Sequence, residues 1–232
     1  MKKYFLFCTV FLLLTQPLLA HDMWLQKSEE GFDIIYGHPG KFDPYEPERV
    51  KQVTGYTENG WPVQLDIERK KDTCRVVPDE AFCAIGGLLD NQYWLKTTDG
   101  WKNQREGKDL EIIQQGHSYK YTKNVVKWCE NLAKPLGQRF EIVPLRDPTG
   151  MKQGDRLPVK VFFEGKPVPG AKIAKMSSME QSHELEPVQA EGPSMVTIGP
   201  PGLQLISAKF ELPVKEEQIV WFGTSLTFST TK

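Results

Sequence analysis

The feature that most restricts the fold of this chain is a succession of short alternating segments separated by turn residues. Residues 32–36 and 93–97 alternate as β-strands do, and residues 50–57 and 61–67 flank an Asn-Gly pair, which is a strong hairpin signal. No segment keeps a helical period with caps, although residues 128–136 could hold a short helical turn. The pattern therefore predicts an all-β protein.

The pattern of residue types changes after a Pro-Leu-Gly stretch at residues 135–137. Beyond it, short apolar segments are separated by turns rich in glycine and proline, as in residues 164–171. This arrangement is typical of a small β-sandwich. We therefore expect two β-sandwich-like domains, a β-rich one over residues 21–138 and a second one over residues 139–232.

The amino-terminal segment has the features of an export signal. Lys2 and Lys3 precede an apolar run over residues 4–14, and Ala20 offers a small residue for cleavage. The run is shorter than the roughly 20 residues that a membrane-spanning helix needs. We expect residues 1–20 to be a cleaved signal peptide, and the mature protein to be periplasmic and not membrane-spanning.

Export would place the remaining cysteines in an oxidising compartment. Cys74 and Cys83 flank a Pro-Asp turn, so a local disulfide between them is the simplest expectation. Cys129 would then be free or buried. Thiolate binding of a metal is the alternative, but the spacing matches no zinc-ribbon pattern.

Composition excludes several functions. Hydrophobic residues make up 39% and charged residues 25%, so the chain can bury a core. A formal net charge of -1 gives no reason to expect a nucleic-acid partner. The sequence has no phosphate-binding glycine loop, no G-x-S-x-G elbow, no H-E-x-x-H and no paired C-x-x-C. The six tryptophans are expected to pack in the core and in hairpins, and an aromatic carbohydrate platform is the alternative.

The histidines offer a candidate metal site. Cleavage after Ala20 would make His21 the first residue, with a free α-amine and an imidazole that can chelate one ion. His38 lies in a tight glycine-proline turn directly after a strand and could add a further nitrogen. Asp22 and His117 are additional candidate ligands. Nitrogen donors suit nickel, cobalt, copper and zinc, whereas calcium and magnesium prefer oxygen. The alternatives are a terminus that binds nothing and an ordinary turn histidine.

Several motifs resemble those of one bacterial family. The start His-Asp-Met-Trp-Leu, the motif Tyr-Gly-His-Pro-Gly at residues 36–40 and the ending at residues 224–228 are similar to exported proteins described as the periplasmic component of cobalt/nickel transport. Part of that family is filed as a domain of unknown function with a nickel-uptake-like label. The Gly-Lys-Pro motif at residues 165–171 also resembles immunoglobulin-like and transthyretin-like modules. The resemblance implies a β-rich periplasmic protein that handles a divalent transition metal, with His21 and His38 as ligands.

These observations lead to one expected function and two alternatives. We expect a non-enzymatic periplasmic protein that binds nickel or cobalt and serves an inner-membrane ABC-type transporter. One alternative is a copper-binding protein or copper-dependent oxidative enzyme with an amino-terminal histidine site. The other is a β-sandwich interaction module that binds no metal.

Overall fold

The computed structural model describes residues 21–79, 81–179, 184–215 and 218–231. The predicted signal peptide therefore lies outside the described residues. Within them the chain forms strands and two short 3-10 helices, and no α-helix. The strands are β1 (Asp22–Ser28), β2 (Gly31–His38), β3 (Lys41–Phe42), β4 (Val50–Tyr56), β5 (Pro62–Gln64), β6 (Glu68–Arg69), β7 (Cys74–Val76), β8 (Ala84–Thr97), β9 (Gly100–Lys102), β10 (Ile112–Val125), β11 (Phe140–Pro144), β12 (Arg156–Phe163), β13 (Lys166–Pro167), β14 (Lys172–Ala174), β15 (Leu185–Pro187), β16 (Ser194–Thr197), β17 (Gly202–Lys215) and β18 (Gln218–Thr230).

The strands form three sheets in a sandwich-like arrangement. A five-stranded sheet has the order β1-β2-β7-β6, with β3 paired to β2. A nine-stranded sheet has the order β15-β14-β17-β18-β10-β8-β4-β5, with β9 paired to β8. A four-stranded sheet has the order β11-β12-β13, with β16 paired to β12. The prediction of an all-β, sandwich-like fold is therefore confirmed, as is the hairpin of β4 and β5.

Two hydrophobic cores hold the sheets together. One core joins apolar side chains of the nine-stranded and four-stranded sheets, including Phe140, Val161 and Phe222. The other joins the five-stranded sheet to β4 and β8, through residues such as Leu25 and Val53. A strand can contribute apolar side chains to one core and polar side chains to its other face, because successive side chains point to opposite faces of a sheet.

One sheet runs through both of the predicted domains. Strand β10 pairs in parallel with β18. The paired stretch begins with Gln115 opposite Gln218 and ends with Asn124 opposite Thr227. The predicted boundary at residues 138 and 139 precedes β11, and the nine-stranded sheet contains strands from either side of it. Residues 21–138 and 139–232 therefore share a continuous hydrogen-bonded layer.

The disulfide differs from the sequence prediction. Cys83 is bonded to Cys129, with a Cα–Cα distance of 5.9 Å, and Cys74 is a buried free thiol. The predicted Cys74–Cys83 pair is wrong because the intervening turn does not make a hairpin: β7 and β8 belong to different sheets. The backbone nitrogen of Val126 donates to the Cys83 carbonyl at 2.8 Å, which holds the two ends of the real disulfide together.

Strand β1 is fixed against the nine-stranded sheet by polar side chains. The Ser225 hydroxyl donates to the Met23 carbonyl, and the Asn124 amide donates to the Leu25 carbonyl at 3.4 Å. The Ser207 hydroxyl donates to the Asp22 carboxylate at 2.8 Å. Buried backbone and carboxylate oxygens need donors, and these side chains supply them. The amino end of β1 is thereby held over one face of the sheet.

Candidate functional site

His21 and His38 come together because β1 and β2 are antiparallel. The register pairs Asp22 with Gly37, so the start of β1 lies beside the end of β2. The two imidazole rings stack with their centroids 4.6 Å apart and their planes inclined by 26°. Gly37 has a φ of 143°, and an added Cβ there would collide with the Lys41 carbonyl, so the tight return of the chain beside His38 requires glycine.

Asp43 holds one nitrogen of the His21 ring. The distance from Nε2 of His21 to Oδ2 of Asp43 is 2.8 Å, and the backbone nitrogen of Asp43 donates to the Tyr36 carbonyl at 2.9 Å. The ring of His21 also stacks on Tyr36 at 4.8 Å. With Nε2 engaged, Nδ1 is the remaining ring nitrogen, and it is the one nearer to the backbone of its own residue. A carboxylate that fixes a histidine ring in this way is the usual outer partner of a metal ligand.

Both imidazoles are biased towards the neutral form. Burial lowers the pKa of His21, with the His38 charge adding to the effect and Asp43 opposing it. Burial also lowers the pKa of His38, and the Asp22 carboxylate opposes it. The neutral ring keeps a nitrogen lone pair, which is the form that can coordinate an ion.

Asp22 and Lys120 form the inner side of the site. Asp22 is buried and accepts the Ser207 hydroxyl, as described above. Lys120 is 4% exposed, and burial lowers its pKa to about 8, with the Lys209 charge adding to the shift. The Asp22 carboxylate opposes this shift because it raises the pKa of Lys120, whereas the Arg49 charge lowers that pKa further. Lys120 thus remains mainly charged at pH 7.

The lowered pKa of Lys120 predicts a dependence of stability on pH. Between about pH 8 and the ordinary value of 10.5, the unfolded chain holds the Lys120 proton and the folded protein does not. The free energy of unfolding should therefore rise with pH over this interval. Relative to Lys120→Met, the wild-type value should gain roughly 2 kcal/mol from pH 7 to pH 10, measured by urea unfolding. A difference that stays constant with pH would contradict the shifted pKa.

His117 has a different environment from the other two histidines. Its Nε2 lies 2.5 Å from Oδ1 of Asp90, and its ring stacks on Tyr119 at 4.6 Å. Neither His21 nor His38 is among these contacts. Across the described ranges, no group of three or more His, Cys, Asp or Glu side chains is arranged to hold a metal ion. Among the described side chains, two histidines, His21 and His38, thus come together.

A cavity of about 440 Å³ opens beside His21, on the same face of the nine-stranded sheet as the amino end of β1. Three tryptophans belong to its wall. Trp24 is fully buried as expected, but Trp61 is 71% exposed, so the expectation that all six pack in the core and in hairpins is wrong for that residue. Sequence reasoning also missed Asp43 and Lys120, because no motif marks either residue. The lining comprises His21, Tyr36, Asn91, Trp94, Lys96, Trp101, Gln114, Ser118, Lys120, Lys209, Phe210, Glu211, Trp221 and Phe222.

Comparison with known families places the chain in one of them. The match is to DUF4198, a domain of unknown function, over residues 18–211. The chain belongs to the DUF4198 family. That description states no activity, so the cobalt/nickel part of the sequence resemblance stays a prediction for this DUF4198 protein. No curated protein and no solved structure matches it. In the part of the chain that the structure describes, no helix is long and apolar enough to cross a membrane.

Proposed function

We propose that this DUF4198 protein binds a divalent transition-metal ion through His21 and His38. The observation that carries the proposal is the stacking of the two imidazoles at 4.6 Å, with Nε2 of His21 held by Asp43. That contact leaves Nδ1 of His21 for an ion, and Nδ1 is the nitrogen that can chelate together with the α-amine of the same residue.

The third donor is the α-amine that cleavage after Ala20 would expose. It would add a main-chain nitrogen to the two histidine side chains that lie together among the described residues. Three nitrogens suit nickel, cobalt, copper or zinc, and they leave positions open for water or for transfer of the ion. Asp43 orients the His21 ring, and the buried Asp22 carboxylate offsets positive charge beside His38.

The biological role we propose is delivery of nickel or cobalt in the periplasm to an inner-membrane transporter. The sequence resemblance supports the metals and the compartment, and the open coordination positions support delivery over storage. The ring of His21 is about one-third exposed, which gives an ion or a partner access to it.

The test is calorimetric titration of residues 21–232 with Ni²⁺ and Co²⁺. An added alanine before His21 removes the free amine from that residue but keeps both imidazoles. Loss of an outer-shell partner costs about 10–100-fold in metal affinity. The extended variant and His38→Ala each remove a direct ligand, so the Ni²⁺ affinity of each should fall by at least about 100-fold. Asp43→Asn should lose about 10–100-fold.

His117→Ala is the matched control, because it removes a histidine that the structure pairs with Asp90. It should keep the wild-type affinity. Thermal unfolding of each variant without metal checks that the fold persists. Equal Ni²⁺ binding by the wild type and the extended variant would remove the amine from the site, and equal binding by His38→Ala would overturn the proposal.

A further inference from the structure

The cavity beside His21 combines a cationic group with aromatic walls. Alternate residues of β10, Ser118 and Lys120, line it from the sheet, and Trp221 is the register partner of Ser118 on β18. Trp101 packs edge-on against Trp221, with ring centroids 5.2 Å apart. These side chains share one face of the sheet with the amino end of β1. The cavity therefore continues from the proposed metal ligand into a pocket suited to an organic molecule.

Lys120 is a buried charged donor of this pocket, whose lining also includes Lys96 and Lys209. In the described part of the chain its ammonium has no hydrogen bond and no ion pair, although the Asp22 carboxylate is close enough to affect its pKa. Its side chain lies across Gly223, where an added Cβ would come within 3.0 Å of both Cδ and Nζ. The glycine thus makes room for a buried lysine. A buried ammonium without a partner is costly, and a bound anion would relieve this cost.

The side chains of the pocket wall indicate the chemistry of the rest of the ligand. Trp94, Trp101 and Trp221 present flat apolar surfaces, and Nε1 of Trp101 is buried without a hydrogen-bond acceptor among the described residues. A cavity of about 440 Å³ has the size of a small-molecule site. A bare inorganic anion would use the ammonium but leave the indole surfaces unoccupied. A flat organic carboxylate would use both.

We propose that this pocket binds a small aromatic carboxylate that arrives as the chelator of the metal ion. This inference rests on the proposed function, because the chelator reaches His21 only if the ion is bound there. His21, through its ring and its α-amine, and His38 take open positions of the ion. The carboxylate accepts a charge-assisted hydrogen bond from Lys120, and the ring packs against the tryptophans. The cargo is thus a metal chelate and not the hydrated ion.

The experiment compares three probes: Ni²⁺ alone, the 1:1 complex of Ni²⁺ with pyridine-2-carboxylate, and the 1:1 complex with 2-(aminomethyl)pyridine. The two chelators share the ring and the chelate size, but only the first has a carboxylate. The wild-type protein should bind the carboxylate complex at least about 10-fold more tightly than the amine complex, as expected for a charge-assisted hydrogen bond in a buried site. Calorimetry gives the ratio, and tryptophan fluorescence gives an independent signal.

Lys120→Met should reduce that ratio to near one, and Trp221→Ala should weaken both complexes. Lys172→Met removes an exposed lysine from β14 and should keep the wild-type ratio. Thermal unfolding confirms that each variant is folded. Binding of bare Ni²⁺ without preference for the carboxylate complex would overturn this inference alone. Failure of bare Ni²⁺ and of both complexes to bind would overturn the proposed function and the inference with it.

Discussion

Replacing Glu141 by alanine should lower the free energy of unfolding by about 3–5 kcal/mol, the usual effect of breaking a buried ion pair. Lys123 of β10 and Glu141 of β11 have side chains that are 1% and 0% exposed, and Nζ lies 2.6 Å from Oε1. The Leu136 backbone nitrogen also donates to both carboxylate oxygens at 3.0 Å. The variant would leave an ammonium and an amide buried without their acceptor.

A double variant separates loss of the pair from loss of packing. Lys123→Met with Glu141→Leu removes both charges at similar volume and should recover most of the lost stability, although the Leu136 amide still lacks its acceptor. Urea unfolding of the two variants measures the difference. Glu58→Ala is the control, because the exposed pair of Glu58 with Lys127 at 3.6 Å should contribute no more than about 1 kcal/mol. If the single and double variants lose equal stability, the ion pair is not the cause.

Loss of the Cys83–Cys129 disulfide should have the second largest effect. The two cysteines are 46 residues apart, and closing a loop of that length in the unfolded chain corresponds to about 4 kcal/mol in the chain-entropy account. Cys129→Ala should lower the unfolding free energy by roughly this amount. Both cysteines are also buried in the core between the nine-stranded and four-stranded sheets, so the variant loses a packing contact there as well.

Thiol counting checks the pairing directly. Unreduced residues 21–232 should show one thiol after unfolding in denaturant, that of Cys74, and none before, because Cys74 is fully buried. Cys129→Ala should show two. A count of three in the unreduced, unfolded wild-type chain would mean that the disulfide does not form.

Local patterns predicted the local features of this fold. Alternation located most of the strands, an Asn-Gly pair located the hairpin of β4 and β5, and neighbouring strands suggested that His21 and His38 could meet. These features depend on residues close in sequence or on adjacent strands.

Features set by distant contacts could not be predicted in the same way. Lys120 alternates with Tyr119 and Tyr121, and this pattern predicts a lysine that faces solvent. The opposite occurs because β1 and the pocket walls cover that face of the sheet. The parallel pairing of β10 with β18 and the choice of Cys129 over Cys74 likewise depend on which sheets assemble, and a single sequence carries no local signal of either.

The attachment of β1 has a consequence for when the site can form. The hydroxyl that holds the Met23 carbonyl belongs to Ser225, 202 residues further along the chain. Contacts between such distant positions form late, because a long loop must close before they contribute. A growing polypeptide that lacks its last strand can form the β1–β2 hairpin, but it lacks the hydroxyl that fixes β1 over the nine-stranded sheet. The pocket beside His21, whose wall includes Trp221 of that strand, would therefore be complete only in finished molecules.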